Sequence, residues 1–345
     1  MGTTSRAGVD EDLRLYQSLD QFWHPVIRDA DLTDSPELVV LLERRLVIAR
    51  LNNEIVAFDD RCVHRGASMA LGAIEDGCLR CAYHGWLYDN DGVIVEVPAN
   101  PEISASINVG LPKLKCTVKH GLVWVSLSDD PVFPIPDFPH LGDPEFRVIS
   151  CDPYDWNCAS VRRLENYVDF GHFAWVHDGY LGSRDHPEIG EHETWREGGT
   201  LRAKATVMEP PSGKIKKHLI GPGELITATN EYWISLPHAV LLDRHFEGGA
   251  RYVLFMVACP IGPNQTRSFW FIGRNYAMEP EADGEFVAFE WEILAQDEPV
   301  VESLLPKVIP SALGEEMYVK TADAVTLGYR QWLNELATAR EAASS

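Results

Sequence analysis

Two short segments constrain this chain more than any other part of it. They are Cys62-Val63-His64 and, after sixteen intervening residues, Cys81-Ala82-Tyr83-His84. Each supplies one thiol and one imidazole from a tight loop, so the fold around them has to bring two loops together on a single metal group. Four donors of this kind invite zinc, yet zinc sites are generally built from Cys-x2–4-Cys or His-x3–5-His pairs. Here each loop pairs unlike donors. The mixed order suits a two-iron, two-sulfide cluster with both cysteines on one iron and both histidines on the other. Neutral imidazole in place of anionic thiolate raises the reduction potential by several hundred millivolts, which makes such a cluster an electron relay. The flanking Arg65-Gly66 and Gly85-Trp86 offer close backbone approach and apolar cover. The competing reading, a zinc knuckle on Cys78 and Cys81, leaves the two evenly built Cys/His loops unexplained. Cys78 reads instead as a small core residue.

The segments around these loops are rich in strand and turn signals. Residues 38–58 alternate short β-branched runs with Glu43-Arg44-Arg45 and Asn52-Asn53, the pattern of a hairpin meander. Gly121–Leu127 adds another strand, so residues 1–128 read as a small all-β domain with an N-terminal extension. Residues 129–145 come next as a linker, because five prolines between Asp129 and Pro144 exclude helix and central strand. Residues 146–345 change character. A helix is expected over 160–177, long strands over Ala250–Ile261 and Thr266–Tyr276, and a helical C-terminal third. In the last helix Val325, Tyr329, Trp332, Leu333 and Leu336 share one face. The fold class is α+β: an all-β domain followed by an antiparallel sheet covered by helices.

The second informative segment is Glu165-Asn166-Tyr167-Val168-Asp169-Phe170-Gly171-His172-Phe173-Ala174-Trp175-Val176-His177-Asp178. Two imidazoles close together can fill adjacent positions of an open metal site. On an ideal helix, however, positions five apart lie about 140° from each other, so His172 and His177 converge only if the helix is distorted.

Both segments carry a family resemblance. CVHRGASMALGAIEDGCLRCAYHGW resembles the loop pair of the ring-hydroxylating and demethylating Rieske non-haem iron oxygenases, with Val63 and Ala82 where proline is usual. Neither position is a ligand, so the departure concerns loop stiffness. Rieske ferredoxins share this motif. The segment from Asp169 to His177 resembles the Asp-x2-His-x4-His motif of the oxygenase catalytic domain, which ferredoxins lack. The resemblance covers nearly the whole chain and implies a [2Fe–2S] cluster on Cys62, His64, Cys81 and His84, with a mononuclear Fe(II) on His172, His177 and one carboxylate. The third ligand is expected at Asp297. It lies one turn after Ile293 on a helix face with Phe289 and Leu294, just ahead of Pro299, and the rival Glu298 and Glu302 read as solvated charges. By the same resemblance Asp169 links cluster and iron, Asn166 faces the iron without binding it, the sheet domain is helix-grip-like, and the chains form a head-to-tail homotrimer.

The ending RNYAMEPEADGEFVAFEWEILAQDEPVVESLL most resembles the monooxygenases typified by dicamba and vanillate O-demethylases. The implied activity uses dioxygen to mono-oxygenate a small aromatic or heteroaromatic substrate by O- or N-demethylation or hydroxylation. Amine N-oxygenation, cis-dihydroxylation and a non-enzymatic electron carrier are the alternatives. Trp233, His238, His245, Phe255 and Trp270 lie on strands expected to line the cavity, although most such aromatics are core.

Composition excludes several other classes. Thirty basic against 52 acidic residues give a net charge of −22, which repels nucleic acid and anionic membrane surfaces. The longest apolar run, Tyr252 to Cys259, is far too short to span a bilayer. The opening MGTTSRAGVDEDLR has no apolar core, so no secretory signal is expected and the location is expected to be cytoplasmic. No GxGxxG or Walker sequence is present, so electrons are expected from a separate flavin/iron-sulfur reductase, with or without a ferredoxin.

Overall fold

The structure, a computed structural model, describes residues 14–210, 218–219 and 226–344. The reading of residues 1–13 as lacking a signal segment falls outside them. Two compact units emerge, one of Asp20–Ile135, the other of residues 14–19 together with 136–344. No helix of the described residues is long and apolar enough to cross a membrane.

The first unit contains ten short strands: β1 (Trp23–Arg28), β2 (Glu37–Leu41), β3 (Arg44–Leu51), β4 (Glu54–Asp59), β5 (Ala73–Glu75), β6 (Cys78–Arg80), β7 (Leu87–Tyr88), β8 (Ile94–Glu96), β9 (Lys113–Lys119) and β10 (Leu122–Ser126). They form a six-stranded sheet in the order β1-β10-β9-β4-β3-β2 and a four-stranded sheet β5-β6-β7-β8. The meander is present, with its first turn shifted. The residues with positive φ are Leu42-Glu43 and Asn52-Asn53, the two-residue hairpin geometry that matches strand twist. Arg44 and Arg45 belong to β3, where they meet Asp59 at 2.6 Å and Asp60 at 2.9 Å. Val47, Val56, Phe58, Met69, Leu79, Tyr88 and Leu111 make one apolar core that continues directly into Cys62 and Cys81.

The second unit is built on one antiparallel sheet of β11 (Arg147–Ser150), β12 (Tyr154–Trp156), β13 (His192–Glu197), β14 (Thr200–Glu209), β15 (Ile226–Ser235), β16 (Ala239–Phe246), β17 (Arg251–Gly262) and β18 (Gln265–Arg274). The order is β11-β18-β17-β16-β15-β14-β13, with β12 also on β18. Strands therefore run on to Arg274, and the last part of the chain turns helical only beyond that residue, a correction to the expected helical C-terminal third. The helices are α1 (Ser160–Val168), α2 (Phe173–Val176), α3 (Asp283–Ser303) and α4 (Ala324–Ser344). The single helix expected over 160–177 is thus two, separated at Asp169–His172.

Register sorts the two faces of the sheet, because residues directly opposite one another share a face. The row Asn230, Arg244, Tyr252, Arg274 is turned toward α3, and the Tyr252 hydroxyl donates to Glu290 Oε1 at 2.8 Å. The row Trp233, Leu241, Phe255, Phe271 lies on the opposite face, where Phe138 of the proline-rich segment stacks on Phe255 at 4.9 Å between ring centroids. In α4, Val325, Tyr329, Trp332 and Leu333 are buried as their spacing predicts. Leu336 is only half-buried, and Ala337 completes the buried stripe.

Candidate metal centres

The two Cys/His loops are wired alike. The Cys62 N–H donates to Ala67 O and the Gly66 N–H to Cys62 O, both at 2.8 Å. In the second loop the Cys81 N–H donates to Trp86 O at 2.9 Å and the Gly85 N–H to Cys81 O at 3.0 Å. Each turn closes through a glycine at φ +74° or +71°, a conformation that costs other residues strain. Asp60 braces the first loop, accepting from the Ser68 hydroxyl and, at 2.8 Å, from the Ala70 N–H. The consequence is a graded donor set. Both thiols are buried at the end of the apolar core, while both imidazoles are exposed, their ring centroids 4.5 Å apart. Trp86 stacks on His64 at 4.6 Å.

The donor set fits a cluster with one sheltered and one surface iron. Burial pushes the Cys81 thiol above its ordinary pKa, so the thiolate needs a positive partner, which metal supplies. Desolvation, with His64 and Arg65 nearby, holds His84 below its ordinary value and favours the neutral, ligating ring. The Tyr88 hydroxyl lies 3.1 Å from Cys62 Sγ.

In the second unit His172 and His177 bracket α2, and Asp297 reaches them from α3. The Nε2 atoms of His177 and His172 lie 3.1 and 3.5 Å from the same carboxylate oxygen, Asp297 Oδ1. Among the described residues these three form the group of histidine, cysteine and acidic side chains whose ligand atoms all fall within 4.8 Å of one another. Convergence comes from the interruption of the helix at 169–172, which supplies the distortion an ideal helix lacks. Phe286, Phe289, Glu290, Ile293, Leu294, Asp297 and Val301 form the buried stripe of α3, so Asp297 is aimed inward by helical period. Glu298 is exposed, and Glu302 accepts from the Asn157 N–H at 2.6 Å, away from the histidines.

Both rings are oriented through Nδ1, leaving Nε2 to the metal. His172 Nδ1–H donates to Asp169 Oδ2 at 2.9 Å, and His177 Nδ1–H to Gln296 Oε1 at 2.7 Å. Asp169 also accepts from the Gly171 N–H at 2.9 Å, so it caps the break as well as holding a ring. Burial opposes its charge, yet His172 and these amides hold its carboxyl below the ordinary value. Asp297 behaves likewise: burial opposes ionisation, and His177, His172 and Arg163 outweigh it. Asn166, on α1, donates from Nδ2 to Asp297 Oδ1 at 3.2 Å.

Two of these partners, Gln296 and Arg163, had no sequence signal beyond lying one residue before Asp297 and one turn before Asn166. The aromatic candidates fare differently. Trp233, His245 and Phe255 lie on the face turned away from α3. His238 is fully buried, taking the Ser160 hydroxyl on Nε2 at 2.8 Å and donating Nδ1–H to Tyr329 at 2.9 Å, and so clasps α1 to α4. Trp270 alone of the five packs against α3, at 5.6 Å from Trp291. The polar groups turned toward α3 are Asn230, Arg244 and Tyr252, with Glu290 opposite them.

Comparisons with known proteins bear on each of the two units. A profile described as "Rieske [2Fe-2S] domain" matches residues 22–116, and one described as "Vanillate O-demethylase oxygenase C-terminal domain" matches residues 156–339. The chain is 34% identical over 334 residues to methylxanthine N1-demethylase NdmA of Pseudomonas putida, covering 94% of this chain and 91% of that one. The chain belongs to the Rieske non-haem iron oxygenases. A second relative of this Rieske oxygenase, methylxanthine N3-demethylase NdmB of the same organism, is 34% identical over 92% of this chain and 89% of its own length. The solved structure of NdmA with caffeine superposes with a TM-score of 0.85 at 33% identity, over 95% of this chain and 94% of that one. As a Rieske oxygenase the chain carries a [2Fe–2S] cluster in its N-terminal β domain and a mononuclear iron in its catalytic domain. It is an enzyme that incorporates oxygen from O2.

Proposed function

We propose that this chain is the terminal oxygenase of a system that removes an N-methyl group from a small, planar heteroaromatic substrate. Electrons come from a separate flavin/iron-sulfur reductase. Cys62, His64, Cys81 and His84 would hold the cluster, and His172, His177 and Asp297 the iron; residues 20–135 make the cluster domain, and residues 136–344 with 14–19 the catalytic domain. When bound, the cluster would supply one electron at a time, and the ferrous ion would supply the place where dioxygen is reduced. The substrate's methyl carbon is hydroxylated, its N–C bond then breaks, and formaldehyde and an N–H product leave. The second oxygen atom becomes water by taking two electrons and two protons.

The chain's own residues prepare this chemistry. Asp169 holds the His172 ring and carries contact toward the cluster of a neighbouring chain in a head-to-tail homotrimer. Gln296 holds His177. The observation that supports the substrate class is the buried polar row of Asn230, Arg244 and Tyr252 facing α3, where the Tyr252 hydroxyl donates to Glu290. Glu290 lies two turns before Asp297 on the same buried stripe, and burial pushes its carboxyl above the ordinary pKa. A carboxyl so poised pairs with ring nitrogens and carbonyls. The methylxanthine activities in the names of NdmA and NdmB support the same class.

The test supplies the purified chain with reductase and NADH and offers N-methylated heterocycles beside methoxybenzoates. Formaldehyde in step with oxygen uptake from the heterocycles is expected, with one labelled atom from 18O2 per turnover reaching organic product. Turnover of methoxybenzoates alone, or a diol carrying both atoms, overturns the proposal.

A further inference from the structure

Arg163 is a cation buried where no anion touches it. It is 1% exposed, and among the described residues no carboxylate lies within ion-pair distance of its guanidinium. Aromatic groups surround it instead. Its carbon stands 4.6 Å from the centroid of Trp156 and 5.2 Å from that of Tyr167, and Nε and Nη2 donate to the Tyr154 hydroxyl at 2.8 and 2.6 Å. The remaining arm is directed at the metal centre. Arg163 Nη1 donates to Asn166 Oδ1 at 2.9 Å, and Asn166 Nδ2 donates onward to Asp297 Oδ1. That oxygen is the one on which both histidine Nε2 atoms converge.

These links permit one orientation of the amide. A guanidinium offers only donors, so the amide end facing it is the oxygen; an ionised carboxylate only accepts, so the other end is the NH2. The distinction matters for a metal, because an asparagine carbonyl oxygen is a competent ligand for a hard cation and an amide NH2 is not. Turned over, Asn166 would offer a fourth protein donor beside Asp297, and one position meant for dioxygen would close. On the reading that His172, His177 and Asp297 hold the iron, we propose that Arg163 is a positioning residue. It locks the Asn166 amide with its NH2 toward Asp297 and so keeps Asn166 out of the coordination sphere. Arg163 touches neither metal nor substrate and acts entirely through Asn166.

The test replaces the mononuclear iron with Co(II) in the full chain, cluster in place, and records Co(II) affinity and the visible ligand-field bands that report coordination number. Bands lost in His172→Ala establish the site; bands that persist there overturn the underlying ligand assignment rather than the role of Arg163 alone. Arg163→Met frees the amide, and Asn166→Asp puts an oxygen where the NH2 was. Both are expected to weaken the bands, as a higher coordination number does, and to tighten Co(II) binding by tenfold or more. Adding Asn166→Leu to Arg163→Met removes the oxygen and is expected to restore the wild-type bands. A role confined to packing predicts looser binding with unchanged bands. If Arg163→Met does not fold, Asn166→Asp decides, since it keeps the guanidinium and its aromatic cage. Wild-type bands in Asn166→Asp overturn the inference.

Discussion

Asp169 accepts a ring N–H with one oxygen and a backbone N–H with the other, so its loss has local and functional parts. With the role proposed for it, Asp169→Ala is expected to keep both metal centres loaded while turnover falls about 100-fold, the upper end for ligand-orienting partners. Metal analysis beside single-turnover rates checks this. His172→Ala is expected to empty the iron site and leave the cluster's visible absorption untouched, because the two sites share no ligand. At this scale the sequence was legible wherever chemistry imposes spacing. Cys62, His64, Cys81 and His84 announce themselves by paired loops, and Asp297 by its place in a buried stripe. Gln296 and Arg163 leave no such trace, because a single polar residue on a helix has no period to betray which neighbour it serves.

The elements depend on junctions that a linear pattern does not contain. Asp283, the first residue of α3, accepts from Arg147 Nε and Arg274 Nη2, each at 2.6 Å, and so ties the helix to both β11 and β18. Arg147 foremost, then Arg274, hold the Asp283 carboxyl below its ordinary value. A carboxyl depressed on folding stabilises the native state fully above its unfolded pKa of about 3.9, and that contribution disappears as pH falls through the lower folded value. Asp283→Asn is therefore expected to cost about 1–3 kcal/mol at neutral pH, and melting curves of mutant and wild type should approach each other below about pH 4. The Ser160–His238–Tyr329 clasp gives a second expectation. Tyr329→Phe removes the buried partner of His238 Nδ1–H and is expected to lower stability by about 1–3 kcal/mol, measured by denaturant unfolding. The strands and α4 were readable from period and turn residues. The break between α1 and α2 was not, since its cause is the side chain of Asp169 folding back onto Gly171 and His172.

For the molecule as a whole, the two centres give a stoichiometric expectation: about three irons and two acid-labile sulfides per chain, by elemental and sulfide analysis. Anaerobic chelation that removes the mononuclear iron is expected to lower the melting temperature of the catalytic unit, because bound metal adds its binding free energy to folding. The ligands of the two centres are also distributed very differently along the chain. Those of the cluster fall between residues 62 and 84, whereas the strands from β13 to β18 and the first turns of α3 all lie between His172 and Asp297 in the sequence. During synthesis from the N-terminus the cluster loops leave the ribosome long before the iron pocket has its carboxylate. Metallation thus acquires an order, with the sulfide cluster able to form on a nascent chain and the lone ferrous ion admitted only after translation has passed Asp297.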